Sequence, residues 1–188
     1  AYAPNPVNWV DPFGLVHLSS NGTSACCEIL SMCKWGEKTM KQAQDKAEGF
    51  NKKGCTPGLS EPCREDGYKE VYIEQAAGGD EKEKLKTIDA LRNQNDSCKS
   101  MQVDHIREVQ CGGTNDPDNL QPLVQTVNAS FGSQIKQCLE KFNAMFSDPS
   151  QKGKISMTVK LVDRRNMTAE EQGRHSHKKP CDKGVKPA

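Results

Sequence analysis

The chain has 188 residues, 34% of them apolar and 5% aromatic, with a net charge of +1. That bounds it to one domain with a modest core and a small accessory region. The balance lacks the basic surplus with which most nucleic-acid binders neutralise phosphates, no apolar run is long enough for a bilayer, and no signal-peptide stretch is expected. Nine cysteines supplement the core. An odd count leaves at least one thiol free, metal-bound or paired outside, and such density is foreign to a reducing cytosol.

In chain order, AYAPNPVNWVDPFGL (residues 1–15) reads as an extended, turn-rich arm. From Ser24 to Phe50, apolar residues recur at roughly helical spacing: Cys26, Ile29, Leu30, Cys33, Met40, Ala43, Ala47 and Phe50. Lys52-Lys53-Gly54 is the stop signal, and Gly36 divides the stretch into two helices. Cys55 and Cys63 bracket a Pro/Gly loop that they could staple. Glu70–Gln75 reads as a short strand and Asp80–Asn95 as a charged helix.

The stretch VDHIREVQCGGTNDPDNLQPLVQTVN holds more internal order. VDHIREVQ is extended, with Glu108 and Gln110 on its solvated face. Gly112 to Pro117 is concentrated turn chemistry, and Asn119 to Val124 is a second extended piece. Beyond Asn128 the period becomes helical through Phe131, Ile135, Cys138, Leu139, Phe142 and Phe146. KISMTVKLV (154–162) alternates as a half-buried strand, and the polar, basic segment after Asn166 reads as a mobile tail. Within that tail, His175, His177 and Cys181 form an H-x-H-x3-C group without a fourth zinc ligand.

A hairpin followed by a helix gathers Asp104-His105, Asn119 and Asn128 into one shallow cleft. Carboxylate and amide oxygens are hard ligands suited to Mg²⁺ or Mn²⁺. A neutral histidine beside them can take a proton from water near pH 7. Asn119 is placed to hold the long turn through backbone hydrogen bonds. Arg107, Lys136, Arg164 and Arg165 are candidate phosphate contacts.

These residues resemble the ββα-metal motif of HNH and endonuclease VII-type nucleases. The resemblance implies an α+β fold with a ββα-metal core and a largely helical N-terminal region. It implies Asp104 and Asn128 as metal ligands, His105 as general base and Asn119 as the structural asparagine; Asn128 in place of a histidine favours Mg²⁺ or Mn²⁺ over zinc. The motif is also similar to C-terminal nuclease domains of bacterial polymorphic toxins. Independently, PVNWVDPFGL resembles the Pro-x4-Asp-Pro-x-Gly-Leu signature closing the core of Rhs-repeat proteins, with Asp11 the motif aspartate and Leu15 the residue before the cut. This implies an arm (1–15), a helical accessory region (16–97), a nuclease core (98–165) and a basic tail (166–188). It further implies a secreted effector acting on DNA in the cytoplasm of a target cell, an Rhs shell before release and a cognate immunity protein, with no membrane partner. A ribonuclease on the same site and a non-enzymatic, disulfide-stapled binding module are the alternatives.

Overall fold

Asn21-Gly22 lies between two short alternating stretches, and the chain reverses there. Gly22 takes a left-handed φ of 88°, which glycine tolerates without steric cost. The Asn21 side-chain oxygen accepts from the backbone N–H groups of Thr23 and Ser24 at 3.0 and 2.8 Å. The hairpin joins β1 (Val16–Ser20) to β2 (Ser24–Leu30) in antiparallel register, with His17 opposite Glu28. The helix expected from Ser24 is therefore a strand as far as Leu30. Ala25, Cys27 and Ile29 alternate inward, and the apparent three-to-four spacing of Cys26, Ile29 and Leu30 is a coincidence of a strand buried on both faces. The expected largely helical N-terminal half is mixed among the residues described.

Residues 16–57, 80, 101–148, 151 and 153–181 are described by a computed structural model. Helix α1 (Glu37–Lys53) follows Gly36 and stops at Gly54, whose φ is 78°. Then come β3 (Met101–His105), β4 (Leu120–Val124), α2 (Gln125–Met145), β5 (Ser156–Val162) and α3 (Ala169–Arg174). The mixture is α+β. The arm with Asp11 and Leu15, the Glu70–Gln75 strand, Cys63 and the 80–95 helix apart from Asp80 lie outside the described residues. No described helix is long and apolar enough to cross a membrane.

Two sheets organise the described residues. One is ordered β1-β2-β5, with β5 parallel to β2; the other is the antiparallel β3-β4 hairpin. One face of the larger sheet, carrying Ala25, Cys27, Ile29, Met157 and Val159, packs on Phe131, Ile135, Leu139 and Phe142 of α2 and on Ala47 and Phe50 of α1. Two amide side chains clamp helices to strands. Asn51 bonds both the N–H and the carbonyl of Val159 at 2.8 Å. Gln134, buried, accepts from Leu30 N–H at 2.7 Å and donates to its carbonyl at 2.9 Å. Each clamp satisfies backbone groups that would otherwise be buried without a partner.

Among the described residues, three disulfides cross-link these layers: Cys27–Cys138, Cys33–Cys181 and Cys55–Cys111. Cys55 is thus tied to the turn after β3 and not to Cys63. Cys26 is free.

The expected mobile tail is folded through Cys181. Met167 packs with Leu30 and Val162 on the outer face of the sheet. Thr168 and Glu171 form a reciprocal capping box at the start of α3. Arg174 grips the buried Glu28 with two hydrogen bonds of 2.8 Å, and Lys160 reaches the same carboxylate at 3.3 Å. Burial works to raise the Glu28 carboxyl, but the Arg174 and Lys160 bonds outweigh it and hold it below its ordinary range. The His175 ring is buried, stands edge-on to His17 with centroids 6.2 Å apart, and places Nε2 3.3 Å from Glu28. That contact lacks hydrogen-bond geometry. Cys181, being disulfide-bonded, offers no thiolate to a zinc ion.

Burial lowers the pKa of both His17 and His175, against the pull of Glu28. The unfolded chain therefore takes up these protons first as pH falls. Their contribution to stability is complete above pH about 6.5 and declines as pH drops from there toward the folded values. The melting temperature is expected to fall between pH 7.5 and 5, and His175→Phe to flatten that slope in a thermal-denaturation series.

Candidate functional site

The β3-β4 hairpin pairs Asp104 with Gln121 and His105 with Leu120. Because side chains alternate along a strand, Gln102, Asp104 and Gln121 share one face and His105 turns to the other. Gln121 Nε2 donates to Asp104 Oδ2 at 2.9 Å. Asn128, in the first turns of α2, donates to Gln102 Oε1 at 3.0 Å. Asp104 and Asn128 are thus both tied to the Gln102–Asp104 face. His105 Nε2 lies 2.8 Å from Asn115 Oδ1. That oxygen can only accept, so Nε2 carries the proton and the tautomer is set by the turn.

Asn119 does what its position suggests. Its Oδ1 accepts from Arg107 N–H at 2.9 Å, and its Nδ2 donates to the carbonyls of Arg107 and Thr114 at 3.0 and 2.8 Å. Its own carbonyl accepts from Ile106 N–H at 2.7 Å. A buried amide with three hydrogen bonds to the backbone of the loop between the strands ties that loop together. The glycines complete it. Gly112 has a left-handed φ of 80°, and a Cβ on Gly113 would stand 1.9 Å from the Arg107 carbonyl oxygen. The Cys55–Cys111 bond anchors the same loop to the end of α1.

The residue that sequence reasoning missed is Lys46. It sits on α1 with 1% of its surface exposed. Its ammonium contacts Asp104 Oδ2 and Glu108 Oε1, each at 2.8 Å, donates to the His105 carbonyl and lies 5.3 Å from the centre of the Phe131 ring. Glu108, expected on a solvated face, is instead drawn inward. Burial and the neighbouring Asp104 charge push its carboxyl above the ordinary range, with Lys46 and His105 pulling the other way. The signal was present: Lys46 falls on the apolar stripe between Ala43 and Phe50.

The expected shallow cleft is closed, with Asp104, His105 and Asn119 each at most 5% exposed. The Asp104 carboxylate already holds Lys46 and Gln121, and among the described residues no three His, Cys, Asp or Glu side chains are grouped to hold a metal ion. The candidate phosphate contacts differ in availability. Arg107 Nε is spent on the Cys111 carbonyl at 2.7 Å, and Arg165 is paired with Asp163 and the Trp35 carbonyl. Lys136 is exposed on α2. Arg164 has no carboxylate partner among the described residues.

No family model matches the chain, and no curated protein and no solved structure matches it either.

Removing one member of a buried ion pair leaves the other uncompensated, which costs about 3–5 kcal/mol. Lys46→Met is expected to lose at least that range's lower end in urea unfolding, because two carboxylates are stranded. Gly113→Ala is expected to lose about 1–3 kcal/mol in the same assay.

Proposed function

We propose that the chain is an endonuclease hydrolysing phosphodiester bonds in DNA, acting as the toxic C-terminal end of an Rhs-type effector that is delivered into competitor cells and restrained by an immunity protein in its producer. The observation that carries the reading is Asn119. A buried asparagine that bonds both ends of a loop between two strands, with an Asp-His pair directly before the loop and a helix carrying Asn128 directly after the second strand, is the arrangement the ββα-metal resemblance calls for.

In this reading His105 takes a proton from the attacking water as the water oxygen bonds to phosphorus, and the bond to the 3′-oxygen breaks with that oxygen taking up a proton from solvent. Asn115 bonds the imidazole, and Asn119 holds the loop that carries Asn115. The cation expected from the resemblance is Mg²⁺ or Mn²⁺; at Asp104 it competes with Lys46 for the same carboxylate. A second reading, the disulfide-stapled binding module, is favoured by one specific observation: the His105 side chain is 2% exposed, as a structural histidine would be.

Supercoiled plasmid incubated with the full chain is expected to be nicked and linearised in Mg²⁺ and left intact in EDTA. His105→Ala is expected to slow cutting by about 10²-fold or more while still unfolding in one cooperative transition, at a melting temperature lowered by the buried side chain it removes. Cutting of RNA but not plasmid moves the substrate to RNA. No cutting of either by a folded wild type leaves the binding module.

A further inference from the structure

On the side of α2 away from Asn128, a cavity of about 420 Å³ opens between the end of β2, α2 and the segments that follow β5 and α3. Lys34, Arg164 and Lys178 line it together with the hydroxyls of Ser130 and Ser133, and no carboxylate is among its lining residues. We propose that this cavity binds a nucleoside phosphate, with the three cations and the serine hydroxyls on the phosphoryl oxygens and the apolar wall at Met32 against the base or sugar.

Arg164 gives the strongest reason. One end of its guanidinium is anchored, with Nη2 donating to the Lys179 carbonyl at 2.6 Å. Its Nε–H is buried and has no hydrogen-bond partner. Its neighbours are treated differently: Arg165 is neutralised by Asp163, and Arg174 by Glu28 and Glu170. Asp163 lies close by and accepts from Ser31 Oγ at 3.3 Å, but its oxygens are committed to Arg165 and Asn166. An unsatisfied donor on an uncompensated charge is costly to bury, and an anion held in the cavity offsets the uncompensated charge.

The remaining donors are held ready. Ser130 Oγ accepts from Gln134 Nε2 at 3.1 Å, so its own proton is free to be given. Gln134 fixes that wall to Leu30. The Cys33–Cys181 bond joins the segment bearing Lys34 to the segment bearing Lys178, so the cations on opposite walls are prevented from drifting apart. Three cations and two hydroxyls exceed what one carboxylate can accept, whereas a phosphoryl group offers several oxygens to planar and point-charge donors together. The volume exceeds what a lone anion needs, and Met32, which lines the cavity, is the one exposed large apolar side chain among the described residues, at 39%.

Two sources carry this chemistry: a nucleotide of the strand beside the cut, which rests on the nuclease reading above, and a free mononucleotide, which does not. Fluorescence anisotropy of a labelled single-stranded oligonucleotide in EDTA, with the full chain carrying His105→Ala to keep the strand whole, is the direct measurement, and 5′-AMP is the competitor. Lys34→Glu with Lys178→Glu is expected to weaken binding by about tenfold or more, Arg164→Gln to do the same, and the exposed Lys38→Glu control to change it less than about twofold. Binding of 5′-AMP alone, measured by calorimetry and lost in the same variants, assigns the cavity to the free nucleotide. If neither probe binds the wild type, or the double charge reversal leaves binding unchanged, the proposal is overturned. Lys34 is exposed, so the test survives even if Arg164→Gln fails to fold. A chain that binds either probe but cuts nothing keeps this site and loses the nuclease reading.

Discussion

A single buried ammonium holds the two halves of the described structure in register. Lys46 leaves α1, crosses to the hairpin and ends among Asp104, Glu108 and the His105 carbonyl. The hydrophobic core can place α1 against the sheet, but it cannot decide how α1 meets the hairpin. A buried ion pair can, because any displacement strands a charge in a medium that does not tolerate it. Two carboxylates face one lysine, so the cluster is short of positive charge. This is the electrostatic frame within which His105 and Asn119 sit.

Around that contact the chain uses covalent and polar ties where a larger protein would use apolar area. Asn51 and Gln134 each bind both backbone groups of one strand residue. The disulfides run strand to helix, loop to loop and helix end to turn. With 34% apolar residues and 5% aromatics, specificity has to come from contacts with direction, and amide clamps and sulfur bonds supply it.

Much of the hairpin region was legible in the sequence because its signals are local. Turn residues at Gly112–Pro117, alternation in β5, and the stripe from Phe131 to Phe146 each declare their element within a few residues. The first strands were misread because a strand buried on both faces has no clean alternation, and Cys-Cys next to Ile-Leu also satisfies a helical period; the Asn-Gly turn before it was the better guide. The polar composition after Asn166 concealed α3 because its anchors are distant in sequence: Glu28 for Arg174 and Cys33 for Cys181. Lys46 was missed for the same reason. A lysine on an apolar stripe is visible, but the two acids it serves lie on another element, and only the fold brings them together.

The parallel pairing of β2 with β5 has a consequence for how the molecule comes to exist. Ser24 lies beside Ser156 and Leu30 beside Val162, so the central strand of the sheet meets one of its two partners only across most of the described chain. Contacts so remote in sequence close slowly, because the chain between them must be ordered first. Until they do, one edge of β2 and the apolar row of Ala25, Cys27 and Ile29 stay open, the kind of edge that pairs with strangers. The fold is therefore a late event in the life of the polypeptide, completed only when its distal segments arrive.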